Sequence, residues 1–159
     1  MFILIYLASI VAANLAASAF GPGATPIIAF LLIGLDLSLR DRLHDAWQGQ
    51  GLVWRMALLI AAGSAISYLL NRDAGPIALA SCVAFGAAAT VDGAIYHLAR
   101  RWPQLARVNA SNVGGAAADS LLFPWLAFGG WLPWIVLAQF AAKVAGGALW
   151  AFVLNRRMS

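Results

Sequence analysis

Long apolar runs separated by short polar corners organise this chain. The first run covers residues 2–20 and stops at Gly21-Pro22-Gly23, where Gly permits and Pro enforces a non-helical backbone. The second covers 25–39 and is short. Its end is polar: Asp36, Arg40, Asp41, Arg42, His44 and Asp45 follow in close order. The third covers 52–70 and meets a turn at Asn71-Arg72-Asp73-Ala74-Gly75-Pro76. The fourth covers 77–98 and is followed by Arg100-Arg101-Trp102-Pro103. The fifth covers 110–128, with Gly129-Gly130 and Pro133 forming the next corner. The sixth covers 134–154. A membrane-crossing helix needs about 20 mostly apolar residues. The pattern therefore predicts an all-α membrane protein, a single polytopic domain of six transmembrane helices. The connections are so short that nothing remains for a soluble domain.

Composition excludes the soluble alternative. Hydrophobic residues make up 63% of the 159 residues and charged residues 10%. A soluble domain is typically about 25% charged. Glu is absent, and Lys143 is the sole lysine. The net charge of +4 does not point to nucleic acid, because the basic residues sit between apolar runs. Orientation follows from those charges instead. With six spans, one side holds the N-terminus, Arg40/Arg42, Arg100/Arg101/Arg107 and Arg156/Arg157, and the other holds only Arg72. Loops that translocate carry few basic residues, so both termini are expected to be cytoplasmic. Trp47, Trp54, Trp102, Trp131 and Trp134 fall near span ends, as in an interfacial aromatic belt. The first run lacks a basic leader and is followed by more spans, so it reads as an uncleaved first helix. The single Cys82 excludes a disulfide framework.

Small residues recur at helical spacing. Ala8, Ala12 and Ala16 are four apart, as are Ala141, Ala145 and Leu149, and Ala142 with Gly146. Such spacing lets backbones approach closely in lipid. Close packing inside one monomer is the expectation, with a dimer or partner face as the alternative.

The polar residues inside the spans carry the candidate chemistry. An ionisable group at the bilayer centre costs about 2.5–3.5 kcal/mol on insertion scales, so a mere scaffold has no reason to keep one there. Asn14, Arg55, Asp92, Asn112, Asp119, Ser120, Gln139 and Lys143 lie inside spans. Asn109, Asn112, Ala116, Asp119 and Phe123 share one face by steps of three and four. Gln139, Lys143, Gly146 and Trp150 share another. Asp119 and Lys143 fall at the same depth on antiparallel spans, so they are natural partners, with Asp92 as a second partner. A purely structural ion pair is the competing reading. Asp36 with Arg40 reads as an interfacial salt bridge, and Arg55 as a side chain that snorkels to the surface.

Other chemistries find no support. There is no Gly-rich phosphate loop, no HExxH and no nucleophile elbow. Asp119 and Ser120 are adjacent, and such neighbours on a helix do not face each other. His44 and His97 have no ligand cluster at metal spacing. The expectation is no enzyme, no cofactor and no metal. What remains is a membrane cavity of carboxylate, amide and ammonium groups, with Tyr96, Phe123, Trp125 and Phe140 nearby. It suits a flat heterocycle with hydrogen-bonding edges.

Six segments then carry a family resemblance. They are Ala12-Ala13-Asn14; Leu35 through Asp41 with Leu43-His44; Asp92 with Tyr96; Arg107 through Asn112; Asp119-Ser120-Leu121-Leu122-Phe123; and Gln139-Phe140 with Lys143. In these the chain resembles the VUT family of small bacterial membrane proteins, the queuosine precursor transporters. The resemblance implies a fold similar to the substrate-binding subunits of energy-coupling-factor transporters. It also implies uptake of a deazaguanine across the bacterial inner membrane. Binding then falls to Asn14, Asp92, Asn109, Asn112, Asp119, Ser120, Gln139 and Lys143. Facilitated passage and proton coupling through Asp119 or Asp92 both stay open. Two rival functions are a binding subunit that needs an ATP-driven coupling module, and a membrane scaffold without transport.

Overall fold

The computed structural model describes residues 1–47 and 51–156, and within them not the side chains of Asp41, His44, Asp45, Gln104, Leu105, Val108, Ala151, Asn155 and Arg156. The side chains of Asp41, His44 and Arg156 are therefore not described, and Arg157 lies outside the described residues.

The first helix, α1, runs Phe2–Phe20 and ends at Gly21, whose φ of 71° favours glycine. One 3₁₀ turn over Pro22–Ala24 leads into the second rod. That rod comprises α2 (Thr25–Ile28), a π-helical turn over Ala29–Ile33, and α3 (Gly34–Ala46). It continues well past 39, through the polar stretch. The remaining helices are α4 (Leu52–Leu70), α5 (Gly75–Leu98), α6 (Gln104–Phe128) and α7 (Pro133–Arg156). Pro26 and Pro76 occupy first turns, where a missing N–H costs nothing. Gly129, with φ 69°, closes α6 in the left-handed conformation.

Among the described residues, five segments are long and apolar enough to cross a membrane: Phe2–Phe20, Pro22–Arg40, Leu52–Leu70, Arg72–Leu98 and Pro133–Leu154. The sixth long helix, α6, has 25 residues. At 1.5 Å per residue that length also spans the roughly 30 Å hydrocarbon layer. Its first half carries Arg107, Asn109, Ser111 and Asn112, which dilute its apolarity.

Burial is inverted relative to a soluble protein. Val53, Leu69, Leu79 and Trp134 stand exposed, while Asn14, Asp36, Gln139 and Lys143 are buried. Lipid solvates the first set and would penalise the second, so the exterior suits a bilayer. An apolar cluster of Tyr6, Ile10, Leu39, Leu43, Met56, Ile60 and Phe85 joins α1, α3, α4 and α5. Trp54, Trp102, Trp131 and Trp134 are exposed close to helix ends. The Arg55 guanidinium lies 5.4 Å from the Trp47 ring and 5.6 Å from the Trp54 ring at the start of α4.

Glycines permit two close helix approaches. A Cβ on Gly115 would sit 3.2 Å from the Ala88 carbonyl oxygen and 3.3 Å from the Asp92 Cβ, which brings α6 onto α5. A Cβ on Gly34 would fall 2.6 Å from the Gly146 carbonyl carbon, and one on Gly146 would overlap the Phe30 carbonyl. Here the second rod and α7 touch backbone to backbone. Two hydrogen bonds flank that crossing. Ser38 Oγ donates to the Gly147 carbonyl at 3.1 Å, and Trp150 Nε1 donates to the Leu31 carbonyl at 2.9 Å.

One expectation is corrected. Packing within the monomer holds for Gly146, but Ala8, Ala12, Ala141, Ala145 and Leu149 face outward. An alanine surface is as compatible with lipid as with protein, so spacing alone does not direct it inward. Asp36 is fully enclosed by the bundle, at 0% exposed. It lies with Arg40 within electrostatic reach of the buried Tyr6 hydroxyl.

The crossing gives a direct test. Gly146→Ala should destabilise the protein by about 1–3 kcal/mol through overpacking against backbone. Gly93→Ala, where nothing lies within 4 Å of the added carbon, should leave the thermal midpoint in detergent unchanged or higher.

Candidate functional site

Four helices bring the buried polar groups together. Asp119 and Ser120 come from the middle of α6, and Gln139 and Lys143 from successive turns of α7. Asn14 comes from α1, and Thr25 from the start of the second rod. Lys143 Nζ lies 2.5 Å from Asp119 Oδ2, with both side chains at least nine-tenths buried. Nζ also donates to Ser120 Oγ at 3.0 Å and to Gln139 Oε1 at 3.4 Å. An ammonium has three N–H donors, so each has a partner. A buried ion is tolerable only under such conditions, because its desolvation costs several kcal/mol.

The network continues outward. With Gln139 Oε1 accepting from Lys143, its Nε2 donates to Thr25 Oγ1 at 2.7 Å. Thr25 Oγ1 in turn donates to the Pro22 carbonyl at 2.6 Å. These bonds fix the Gln139 amide in one orientation. Asn14 Nδ2 donates to Ser67 Oγ at 3.1 Å, and Ser67 Oγ donates to the Gly63 carbonyl at 2.7 Å. The Asn14 amide is thereby held against α4. Pro124, buried one turn beyond Ser120 inside α6, has no N–H to give the Ser120 carbonyl.

A cavity of about 370 Å³, its mouth included, sits against this network. Its polar lining comprises Asn14, Thr25, Ser81, Asp119, Gln139 and Lys143, and Phe85 and Phe123 supply aromatic walls. The rest is small or aliphatic, chiefly Ala13, Ala17, Ala29, Ile28 and Ile33. The last two and Ala29 belong to the π-helical turn or border it. Such turns recur at functional sites.

The sequence candidates divide in two. Asn14, Asp119, Gln139 and Lys143 line the cavity, and Ser120 stands directly behind as an acceptor for Lys143. Asn109 and Asn112 are exposed on α6 and do not reach it. They share a helical face with Asp119, but at their depth α6 packs on α5 through Gly114 and Gly115, and that face is uncovered. Asp92 is half-buried against Gly115, its Oδ1 enclosed without a hydrogen-bond donor, and it lines neither the cavity nor its polar network. Tyr96 lies outside as well, under the Arg107 guanidinium at 4.1 Å. Sequence reading missed Thr25, Ser67, Ser81 and Phe85. Thr25 and Ser81 are polar interruptions of apolar runs, a signal shared by many packing hydroxyls. Phe85 carries none.

An apolar helical bundle with a buried polar network against an internal cavity defines a class: a multi-pass membrane protein. More particularly, the chain belongs to the VUT family, described as "Putative vitamin uptake transporter", whose model matches residues 1–155. It is thus a transporter for a small molecule in a lipid bilayer. No curated protein and no solved structure matches it.

The ion pair has a clear energetic signature. Lys143→Met leaves Asp119 buried without its counter-charge and should cost about 3–5 kcal/mol of stability. Adding Asp119→Asn should restore most of that loss. A double-mutant cycle read by denaturation in detergent checks both numbers, and additive losses would contradict the coupling.

Proposed function

We propose that the protein imports a small planar heterocycle, a deazaguanine precursor of queuosine, across the bacterial inner membrane by alternating access. In this reading both termini face the cytoplasm, as the basic loops require. One observation carries the proposal: carboxylate, ammonium and amide converge on one cavity that Phe85 and Phe123 also line. A guanine-like edge presents adjacent N–H groups and a carbonyl. Asp119 accepts from the N–H groups, and Lys143 and the Gln139 amide donate to the carbonyl. Phe85 and Phe123 cover the ring faces. Binding and release involve no bond made or broken.

The lining supports the same class: its charged, amide and hydroxyl groups have no use for a lipid tail, and its aromatic walls are idle for an inorganic ion.

A second reading rests on the outward alanines. Ala8 and Ala12 of α1 and Ala141 and Ala145 of α7 offer close-approach surfaces for a helical partner. A binding subunit driven by an ATP-consuming coupling module, as in energy-coupling-factor systems, would use such faces. Uptake by this chain alone, in cells without any such module, would exclude that reading.

Uptake tests the proposal. Cells unable to make the precursor, given it in the medium, should regain queuosine in tRNA when this chain is expressed. Asp119→Asn should lose that uptake while its membrane level stays normal. No queuosine with wild type would remove the substrate assignment.

A further inference from the structure

A second, smaller cavity adjoins the first and shares Ile33, Phe85, Asp119 and Lys143 with it. The two stack in register along four helices. On the second rod, Thr25 and Ile28 line the first cavity, Ile33 lines both, and Leu37 and Arg40 line the second. On α5 the same order is Ser81, then Phe85 in both, then Ala88. On α6 it is Phe123, then Asp119 in both, then Ala116. On α7, Gln139 lines the first and Lys143 lines both. Each of these four segments therefore meets both cavities at the level of the Lys143–Asp119 pair. Two unrelated voids would not share that order on four chain segments.

The cavities differ in chemistry. The first adds four neutral hydrogen-bonding side chains to the ion pair: Asn14, Thr25, Ser81 and Gln139. The second adds only Arg40, among Leu37, Ala88, Gly115 and Ala116. We propose that the second cavity is the exit vestibule of the transport path, and that the Lys143–Asp119 pair with Ile33 and Phe85 is the barrier between the halves. This rests on the transport reading above. A planar ligand in the first cavity competes for the pair, its N–H groups replacing the ammonium on Asp119 and its carbonyl drawing Lys143 away. Occupancy thus opens the barrier it rests on. Beyond it, four neutral partners are exchanged for one guanidinium, so the ligand is held less tightly and leaves toward the Arg40 end. Phe85, which faces both cavities, covers the ring on either side of the step.

The path can be read by sided labelling of the full chain carrying Cys82→Ser, in sealed vesicles of both orientations, with a membrane-impermeant maleimide. Ala88→Cys and Leu37→Cys report the second cavity, and Ala17→Cys and Ile28→Cys the first. The expected result is labelling of Ala88→Cys and Leu37→Cys only from the Arg40 face, and of the other two only from the opposite face. In the Lys143→Met/Asp119→Asn background, the second-cavity positions should lose that sidedness and react from both faces. Labelling of all four positions from one face would overturn the proposal, as would no reaction at either second-cavity position. Retained sidedness in the double variant would overturn the barrier. None of these readouts needs a ligand. Failed uptake with sided labelling would therefore remove the substrate and leave the path, and successful uptake without sidedness would do the reverse.

Discussion

Everything central to this structure depends on one ion pair held in a low-dielectric interior. A lysine and an aspartate in lipid are each costly alone, and together they are stable only with every donor used. The Lys143 ammonium meets that condition through Asp119, Ser120 and Gln139. The constraint then propagates. Gln139 must turn its carbonyl to Lys143, so its amide N–H reaches Thr25, which ties α7 to the start of the second rod. One pair thereby fixes the relative height of α6, α7 and the second rod.

Backbone proximity supplies the rest of the geometry. Gly34 and Gly146 let α7 press directly on the second rod, a few residues from the cavity wall. The π-helical turn over Ala29–Ile33 lies beside this crossing, and the Leu31 carbonyl there accepts from Trp150. The chamber is thus bounded by a rod with an irregular turn on one side and by α6, broken in its hydrogen bonding at Pro124, on the other. Both are places where helix geometry yields most readily.

The helical bundle was legible because lipid imposes long apolar runs, and the corners at Gly21, Asn71 and Gly129 announce themselves by residue type. The depth match of Asp119 and Lys143 followed from counting along antiparallel helices. Helical phase alone misled at Asn109 and Asn112. They share a face with Asp119, yet nothing covers that face at their depth, because burial depends on where the next helix crosses. The complete burial of Asp36 was hidden for the converse reason: it depends on the neighbouring helices, and no local pattern records that. Thr25, Ser67 and Ser81 were invisible because a hydroxyl in an apolar run satisfies itself on a backbone carbonyl more often than it serves a site.

The central claim is that the pair at the bundle's core is a ligand site and not only a fastener. A ligand that prefers the folded state raises its stability, by about 2.7 kcal/mol at a hundred times Kd. The decisive measurement is the thermal midpoint of the purified protein across a nucleobase panel, beside that of the charge-free Lys143→Met/Asp119→Asn protein. A dose-dependent rise with a deazaguanine is expected for the wild-type chain and none for the double variant. A midpoint that no base moves, or that moves equally in both proteins, would contradict it.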